Sequence, residues 1–471
     1  MGKFYITTTL PYVNSRPHVG FALEIIRADC LARYHKLIGD EVLFNTGTDE
    51  HGQKIYQKSL EEDKKPQEYV DEYAAKFAGL KKALNLSYTN FIRTTDDDHK
   101  KAAQELWRIV EKNGYIYKAC YKTKYCVGCE LEKTDSELIE GRCPYHQDKS
   151  LEIREEENYF FKFSEFDDKL LDLYSKNAKF VVPKNRLVEI ENFVKEGLHD
   201  FSISRIKNKM PWGVEVPGDS DHVMYVWFDA LTNYISTLGW PDNKNNFNKW
   251  WPGVQIAGKD NLRQQSSMWQ AMLMAAGLPT SKQILINGFI MSDGQKMSKS
   301  VGNVIDPVEY VNKYSTDSLR YYLLAKINSF DDSDFTRDKF EDAYQSDLAN
   351  GLGNLVARVA AMSANLEFEV YNSDRKISKN VALKIEAYEF DKAVALIWER
   401  IKKCDTLINE REVWKLEGAE KLKTLTTLIN EIRQIGVDLQ PFLPKTAEEI
   451  LARFKGSEII KGESLFPRLP K

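Results

Sequence analysis

The order of segments at the N-terminus constrains the fold more than any other feature of the chain. An apolar and β-branched run from Phe4 to Thr9 ends at Leu10-Pro11, a turn follows around Asn14 to Pro17, and a helical period then begins. Phe21, Ile25, Ala28 and Ala32 recur at spacings of four, three and four, and Gly39 supplies a stop. A second short run, Glu41 to Asn45, precedes Thr46-Gly47-Thr48-Asp49. Strand, loop, helix, strand is the opening of a parallel α/β sheet, whose ligands collect at the carboxyl ends of the strands. The loops that follow the first two runs are therefore where chemistry is expected.

From about Tyr115 to Val223 short charged pieces replace this alternation, which reads as an insertion between two halves of the sheet. βα character resumes with Val254-Gln255-Ile256-Ala257-Gly258 and with Gln283 to Ile286. After Asp331-Asp332-Ser333-Asp334 the chain becomes helical nearly to its end. Leu383, Ala387, Phe390, Val394, Ile397 and Ile401 mark one amphipathic stripe, and Leu422, Leu425, Ile429 and Ile432 another, as in a separate bundle. The Asn-rich stretch from Asp242 to Asn248 reads as a surface loop, and there is no internal repeat.

With 471 residues, 42% of them hydrophobic, the chain can fill two to four packed domains. Met1 to Ile6 lacks a secretory apolar core, Ile6 stands where a myristoylation signal needs Ser or Thr, and no apolar run is long enough to span a bilayer. A cytoplasmic enzyme with no membrane partner is expected. A net charge of -4 excludes nucleic-acid binding by bulk electrostatics, so any RNA contact must be local.

Three motifs carry chemistry. In Pro17-His18-Val19-Gly20-Phe21, at a strand-to-helix turn, Gly20 would let a nucleotide approach the backbone and His18 could donate to phosphate beside a helix N-terminus. Alone, a His beside a Gly in a loop is more often just a turn residue. Far downstream, Gly294-Gln295-Lys296-Met297-Ser298-Lys299-Ser300 places two lysines three residues apart in a loop after a predicted strand, suited to a triphosphate whose pyrophosphate is departing. Third, Cys126-x-x-Cys129 is followed after thirteen residues by Cys143-x-x-His146. Two such pairs can wrap one tetrahedral ion and leave no open position, which makes a single zinc structural. Cys120 is a spare thiol nearby, while Cys30 and Cys404 read as core residues.

The His-x-Gly turn followed by Lys-Met-Ser-Lys-Ser resembles the two signatures of class I aminoacyl-tRNA synthetases. Phe44 to Gly52, Tyr225 to Leu231 and Gly258-Lys259-Asp260 resemble, in order, blocks of the methionine-specific family, in its single-knuckle form. The likeness runs over essentially the whole chain. It implies an α/β fold in which a Rossmann-like parallel-sheet catalytic domain is split by a zinc-knuckle insertion and followed by an all-α anticodon-binding bundle. The expected divisions are residues 1–115 and 224–290 for the two catalytic halves, 116–223 for the insertion with its knuckle at 126–146, 291–337 for the lysine loop and stem-contact region, and 338–471 for the bundle. It further implies ATP-dependent activation of L-methionine and its transfer to tRNA(Met), with magnesium accompanying ATP. His18, Gly20, Lys296, Ser298 and Lys299 would hold ATP, with Arg205 assisting catalysis. Leu10, Tyr12, Trp227, Ala230, Tyr234 and Gln265 would surround the methionine side chain, with Asp49 on its ammonium group. Asn354, Arg358 and Trp414 would read the anticodon, since unpaired bases are read by stacking and by hydrogen bonds to their edges. The chain stops at Lys471 soon after the helical stretch, without the dimerisation module some relatives carry, so a monomer is expected.

Three positions depart from the family. Phe21 stands where its first signature has His or Asn, which removes one phosphate-side hydrogen bond. Gln264 and Gln265 replace an aromatic residue and His, and Val413 replaces the Pro before the anticodon Trp. Two rival readings follow: a tRNA-binding protein with an impaired site, and a class I synthetase of altered amino-acid specificity. The insertion is too short for the editing domain of the isoleucine, valine and leucine enzymes, and Thr7 to Asn14 lacks the zinc-binding Cys of the cysteine enzyme.

Overall fold

Alternation along the strands sends Phe4 and Ile6 into one apolar cluster and Tyr5 into another, and it repeats with Ile256 against Ala257 and Leu285 against Ile284 and Ile286. The strands responsible form one six-stranded parallel sheet in the computed structural model, which describes residues 2–129, 131–133, 138–297, 303–370 and 375–469. In chain order they are β1 (Lys3–Thr8), β2 (Glu41–Thr48), β3 (Asn90–Arg93), β4 (Val181–Val182), β5 (Val254–Gly258) and β6 (Gln283–Asn287). Their spatial order is β3-β2-β1-β5-β6-β4, and every pairing is parallel. This is the α/β architecture expected.

The helix Val19–Leu37 crosses from β1 to β2. Thirteen of its nineteen residues are buried, including Glu24, Arg27 and Asp29, because it is packed between the sheet and the helical region. Arg27 donates to the Asn287 side chain at 2.7 Å and to the carbonyls of Asn328 and Ser329 at 2.8 and 2.9 Å. Asp29 pairs with Arg320 at 2.8 Å, and Arg320 donates to the Phe442 carbonyl. The apolar cluster under this helix continues through Leu319 and Phe390 to Leu425 and Ile432.

After β3 and the helix Asp97–Lys112, the strands Ile116–Cys126 and Glu152–Phe161 form a long antiparallel hairpin. The helices Asp167–Lys176 and Lys184–Lys195 then flank β4, which joins the edge of the main sheet through β6. A segment within the range assigned to the insertion is thus part of the central sheet. A small antiparallel sheet, Ser204–Ile206 with Glu215–Val216 and Asp219–Met224, leads into the helix Val226–Leu231.

Two expectations differ from what is found. The Asn-rich stretch is not a loop: Lys244–Trp250 is helical, because the Asn243 side chain accepts the Asn246 N–H at 3.0 Å and starts it. The stripe from Leu383 to Ile401 belongs to two helices, Lys379–Glu386 and Phe390–Glu410, broken where Tyr388 takes a φ of 61°. Leu383 and Leu422 are exposed, while Val381, Ile385 and Leu425 fill the core. Among the described residues no helix is long and apolar enough to cross a membrane.

Candidate active site

β1 has β2 on one side and β5 on the other, so the strand order reverses beside it and a crevice opens at the carboxyl ends of β1 and β5. Glu24 sits there, its carboxyl group accepting from the Thr9 N–H at 2.7 Å and the Thr9 hydroxyl at 2.6 Å. Burial pushes its pKa up to about 8, the Thr9 hydrogen bonds oppose this, and the charge of Asp260 adds to it. An acid held protonated in the fold but ionised when unfolded loses stability as pH rises from about 4.5, and the loss levels off above about 8. Thermal melts without substrate between pH 5 and 8 are therefore expected to fall more steeply for the parent than for Glu24→Gln. Equal slopes would exclude the shift.

His18 caps the first helix in extended conformation, and its Nδ1 accepts the Gly20 N–H at 3.1 Å. In the neutral ring this assigns the proton to Nε2, a donor suited to phosphate. A Cβ on Gly20 would lie 2.8 Å from the His18 ring and 3.7 Å from Met297 Cε. The Ile305 carbonyl accepts the Val19 N–H at 2.9 Å. Ser298 and Lys299 lie outside the described residues, and the backbone of Lys296 pairs with Met291. Met297, between the two lysines, and Ile305, beyond the segment, thus both meet the His18 turn. Phe21 packs edge-on against Phe77.

Beyond β1, Tyr12 and Asp49 lie side by side in a parallel bridge, with the Asp49 N–H on the Pro11 carbonyl at 3.0 Å. Asp49 is buried and Leu10 half-buried. The helix Val226–Leu231 supplies half-buried Trp227 and buried Ala230. Tyr234 is anchored to the sheet by the Tyr5 hydroxyl, which donates to its carbonyl at 2.7 Å. Its phenol receives Gln265 Nε2 at 2.7 Å, and its pKa is raised by burial, with the charges of Glu24 and Asp49 contributing. The crevice therefore brings Glu24, Asp49, Tyr234 and Gln265 into one neighbourhood. The buried Gln265 Oε1 and Trp227 Nε1 have no hydrogen-bond partner among the described residues.

Arg205 is buried between two rings, 4.6 Å from the Tyr225 centroid and 5.2 Å from that of Tyr125, and donates to Ser202 Oγ and the Ser204 carbonyl. Tyr125 precedes Cys126, and Tyr225 lies two residues before Trp227. Arg205 thus joins the cysteine cluster to the pocket helix. In that cluster the ligand atoms of Cys126, Cys129, Cys143 and His146 all lie within 4.8 Å of one another. Cys129 Sγ is 3.3 Å from Cys143 Sγ and 3.2 Å from His146 Nδ1, and Cys126 and Cys143 are 3.9 and 4.0 Å from that nitrogen. A tetrahedral ion with bonds of roughly 2.0–2.3 Å sets its ligands about 3.3–3.8 Å apart, so these four residues could hold a metal. Gly128 is obligatory here: a Cβ would lie 2.4 Å from the imidazole of His146.

The sequence matches the family described as tRNA synthetases class I (M) over residues 4–150 and 146–360. It is 36% identical to the methionine-tRNA ligase of Caldanaerobacter subterraneus, over 99% of this chain and 79% of that one. It is 39% identical to that of Thermotoga maritima, over 99% and 80%. The chain belongs to the methionyl-tRNA synthetase family. The Mycobacterium tuberculosis methionyl-tRNA synthetase in complex with methionyl-adenylate superposes with a TM-score of 0.92 at 33% identity, covering 99% of this chain and 100% of that one.

At the far end of the synthetase, Arg358 donates to the Asn409 side chain at 3.0 Å and lies 5.9 Å from the ring of Trp414, which is 49% exposed. Asn354 begins the same helix one turn earlier, half-buried. Glu24 was not singled out by sequence, because a glutamate early in a helix reads as solvated; only its burial reveals it.

Proposed function

We propose that this synthetase activates methionine with ATP and transfers it to tRNA(Met) in the cytoplasm, acting as a monomer. The observation that carries the reading is the gathering of Asp49, Tyr234 and Gln265 beside the crevice at the strand-order reversal, in a chain of this family. Asp49 holds the ammonium group, and Leu10, Tyr12, Trp227, Ala230, Tyr234 and Gln265 surround the thioether, which offers only weak hydrogen bonds. The methionine carboxylate attacks the α-phosphate in line, pyrophosphate leaves, and a terminal adenosine hydroxyl of the tRNA then takes the acyl group from the adenylate, releasing AMP. The protein contributes positioning and charge stabilisation. His18 Nε2, the Gly20 backbone, Ser298, Lys296 and Lys299 act on the phosphates of magnesium-bound ATP. Arg205 assists catalysis by holding the pocket helix against the knuckle. Asn354, Arg358 and Trp414 receive the anticodon bases.

Pyrophosphate exchange with a panel of amino acids tests this. Exchange with methionine is expected. Exchange with a different amino acid would favour altered specificity, a reading kept in view by Gln265 Oε1, which has no partner among the described residues, and none at all would favour an impaired tRNA-binding protein.

Zinc on Cys126, Cys129, Cys143 and His146 would close the insertion's fold, and with four protein ligands it takes no part in the reaction. Elemental analysis is expected to find one zinc per chain. Cys143→Ser should lose it and expose the hairpin to protease before the helical region. A fully active, protease-resistant Cys143→Ser protein without zinc would overturn the assignment.

A further inference from the structure

Among the described residues Asp229 is shared by two imidazoles. Its Oδ2 lies 2.6 Å from His51 Nδ1 and its Oδ1 lies 2.9 Å from His99 Nε2, and His99 Nδ1 lies 2.9 Å from Ser236 Oγ. All four groups are buried. Burial alone would raise the pKa of Asp229, but the two histidines hold it at about 2, so the carboxylate is ionised throughout the working range. Rings that donate from His51 Nδ1 and His99 Nε2 satisfy both carboxylate oxygens, and Ser236 Oγ holds the far nitrogen of His99. A buried charge of this kind is weak evidence for stability, since apolar packing of the same volume generally serves as well. What it adds is direction, because each hydrogen bond fixes an angle as well as a distance.

The direction matters because of what lies two residues upstream of each end. His51 follows Asp49 on the loop leaving β2, and Asp229 follows Trp227 on the helix Val226–Leu231. His99 comes from a third element, Asp97–Lys112. Trp212 seats the loop from its other side, its Nε1 donating to the Glu50 carbonyl at 2.6 Å and its ring meeting His51 edge-on. None of the contacts of this triad described above involves the helix that carries His18, Gly20 and Glu24.

We propose that Asp229 is a positioning residue that clamps the Asp49 loop to the Trp227 helix through His51 and His99, setting the amino-acid subsite independently of the nucleotide subsite. The inference rests on the methionine reading above. It predicts a split between the two substrates that a general loss of packing does not produce.

The experiment is pyrophosphate exchange by the full chain, varying methionine at saturating ATP and ATP at saturating methionine. Asp229→Asn is expected to raise the methionine KM tenfold or more while the ATP KM stays within about twofold. His51→Leu should do the same. His51→Asn, whose amide nitrogen lies where Nδ1 was, should recover most of the lost methionine affinity. If Asp229→Asn does not fold, as judged by its melt, the two His51 variants decide. A parallel rise in both KM values, a fall in kcat alone, no change, or equal behaviour of His51→Leu and His51→Asn would each overturn the clamp. A parent that exchanges with another amino acid would overturn the methionine reading instead, and the same split would then be measured on that amino acid. A parent with no exchange would overturn both.

Discussion

Lys299→Ala is expected to lower methionine-dependent pyrophosphate exchange by about 10²–10³-fold, the cost of removing one preorganised donor from a developing negative charge, or roughly 3–4 kcal/mol. The effect should fall on kcat, because an ammonium group that meets the phosphates most closely as pyrophosphate departs contributes more to the transition state than to ATP binding. The surroundings favour a large value. Met297, beside Lys296, and Ile305, beyond the lysine segment, both meet the His18 turn, and at Phe21 the side chain packs on Phe77 and offers no polar group to the nucleotide. Burst measurements of adenylate formation check the prediction, and a change confined to the ATP KM would remove Lys299 from the activation step.

Gly47→Ala is expected to cost stability rather than chemistry. Gly47 lies opposite Ile92 in the β2–β3 pairing, and a Cβ there would sit 1.8 Å from the Ile92 carbonyl oxygen and 2.7 Å from its carbon. Both are backbone atoms that cannot rotate away, so β3 must be pushed off the sheet. Overpacking of side chains costs about 1–3 kcal/mol, and a clash with backbone should reach or exceed about 3 kcal/mol. Gly79 is the control: it lies exposed within the helix Pro66–Ala83 with nothing inside 4 Å, so Gly79→Ala should stabilise by up to about 1 kcal/mol. Denaturant unfolding of the two variants should move in opposite directions. Movement of both in the same direction would mean that β2 and β3 are not paired through Gly47.

The features legible in the sequence share a physical origin, in that each depends on a short-range pattern. The parallel sheet was announced by runs at Phe4, Glu41, Val254 and Gln283, and the cluster that could hold a metal by two pairs of residues with two-residue gaps. What escaped was decided at long range. β4 is two residues long and carries no pattern of its own; it becomes a strand only because β6 lies beside it. Glu24, Arg27 and Asp29 look like solvated charges scattered around a helix, yet sheet and bundle enclose that helix on both sides. Asp229 lies in an apolar block whose resemblance drew attention to Trp227 and Ala230, while its partners His51 and His99 come from distant segments. The break at Tyr388 was hidden because apolar residues continued in register across it.

β1 pairs on one side with residues that follow it closely and on the other with β5, where Ile6 meets Val254. During synthesis the first four strand-forming segments emerge long before β5 and β6 exist. Until then β1 presents a row of unpaired backbone donors and acceptors flanked by apolar side chains, the kind of edge that invites pairing with other chains. The crevice is consequently completed only after more than half of the chain has emerged, and a nascent chain released before Gly258 would carry that sticky edge without the nucleotide site it is meant to line.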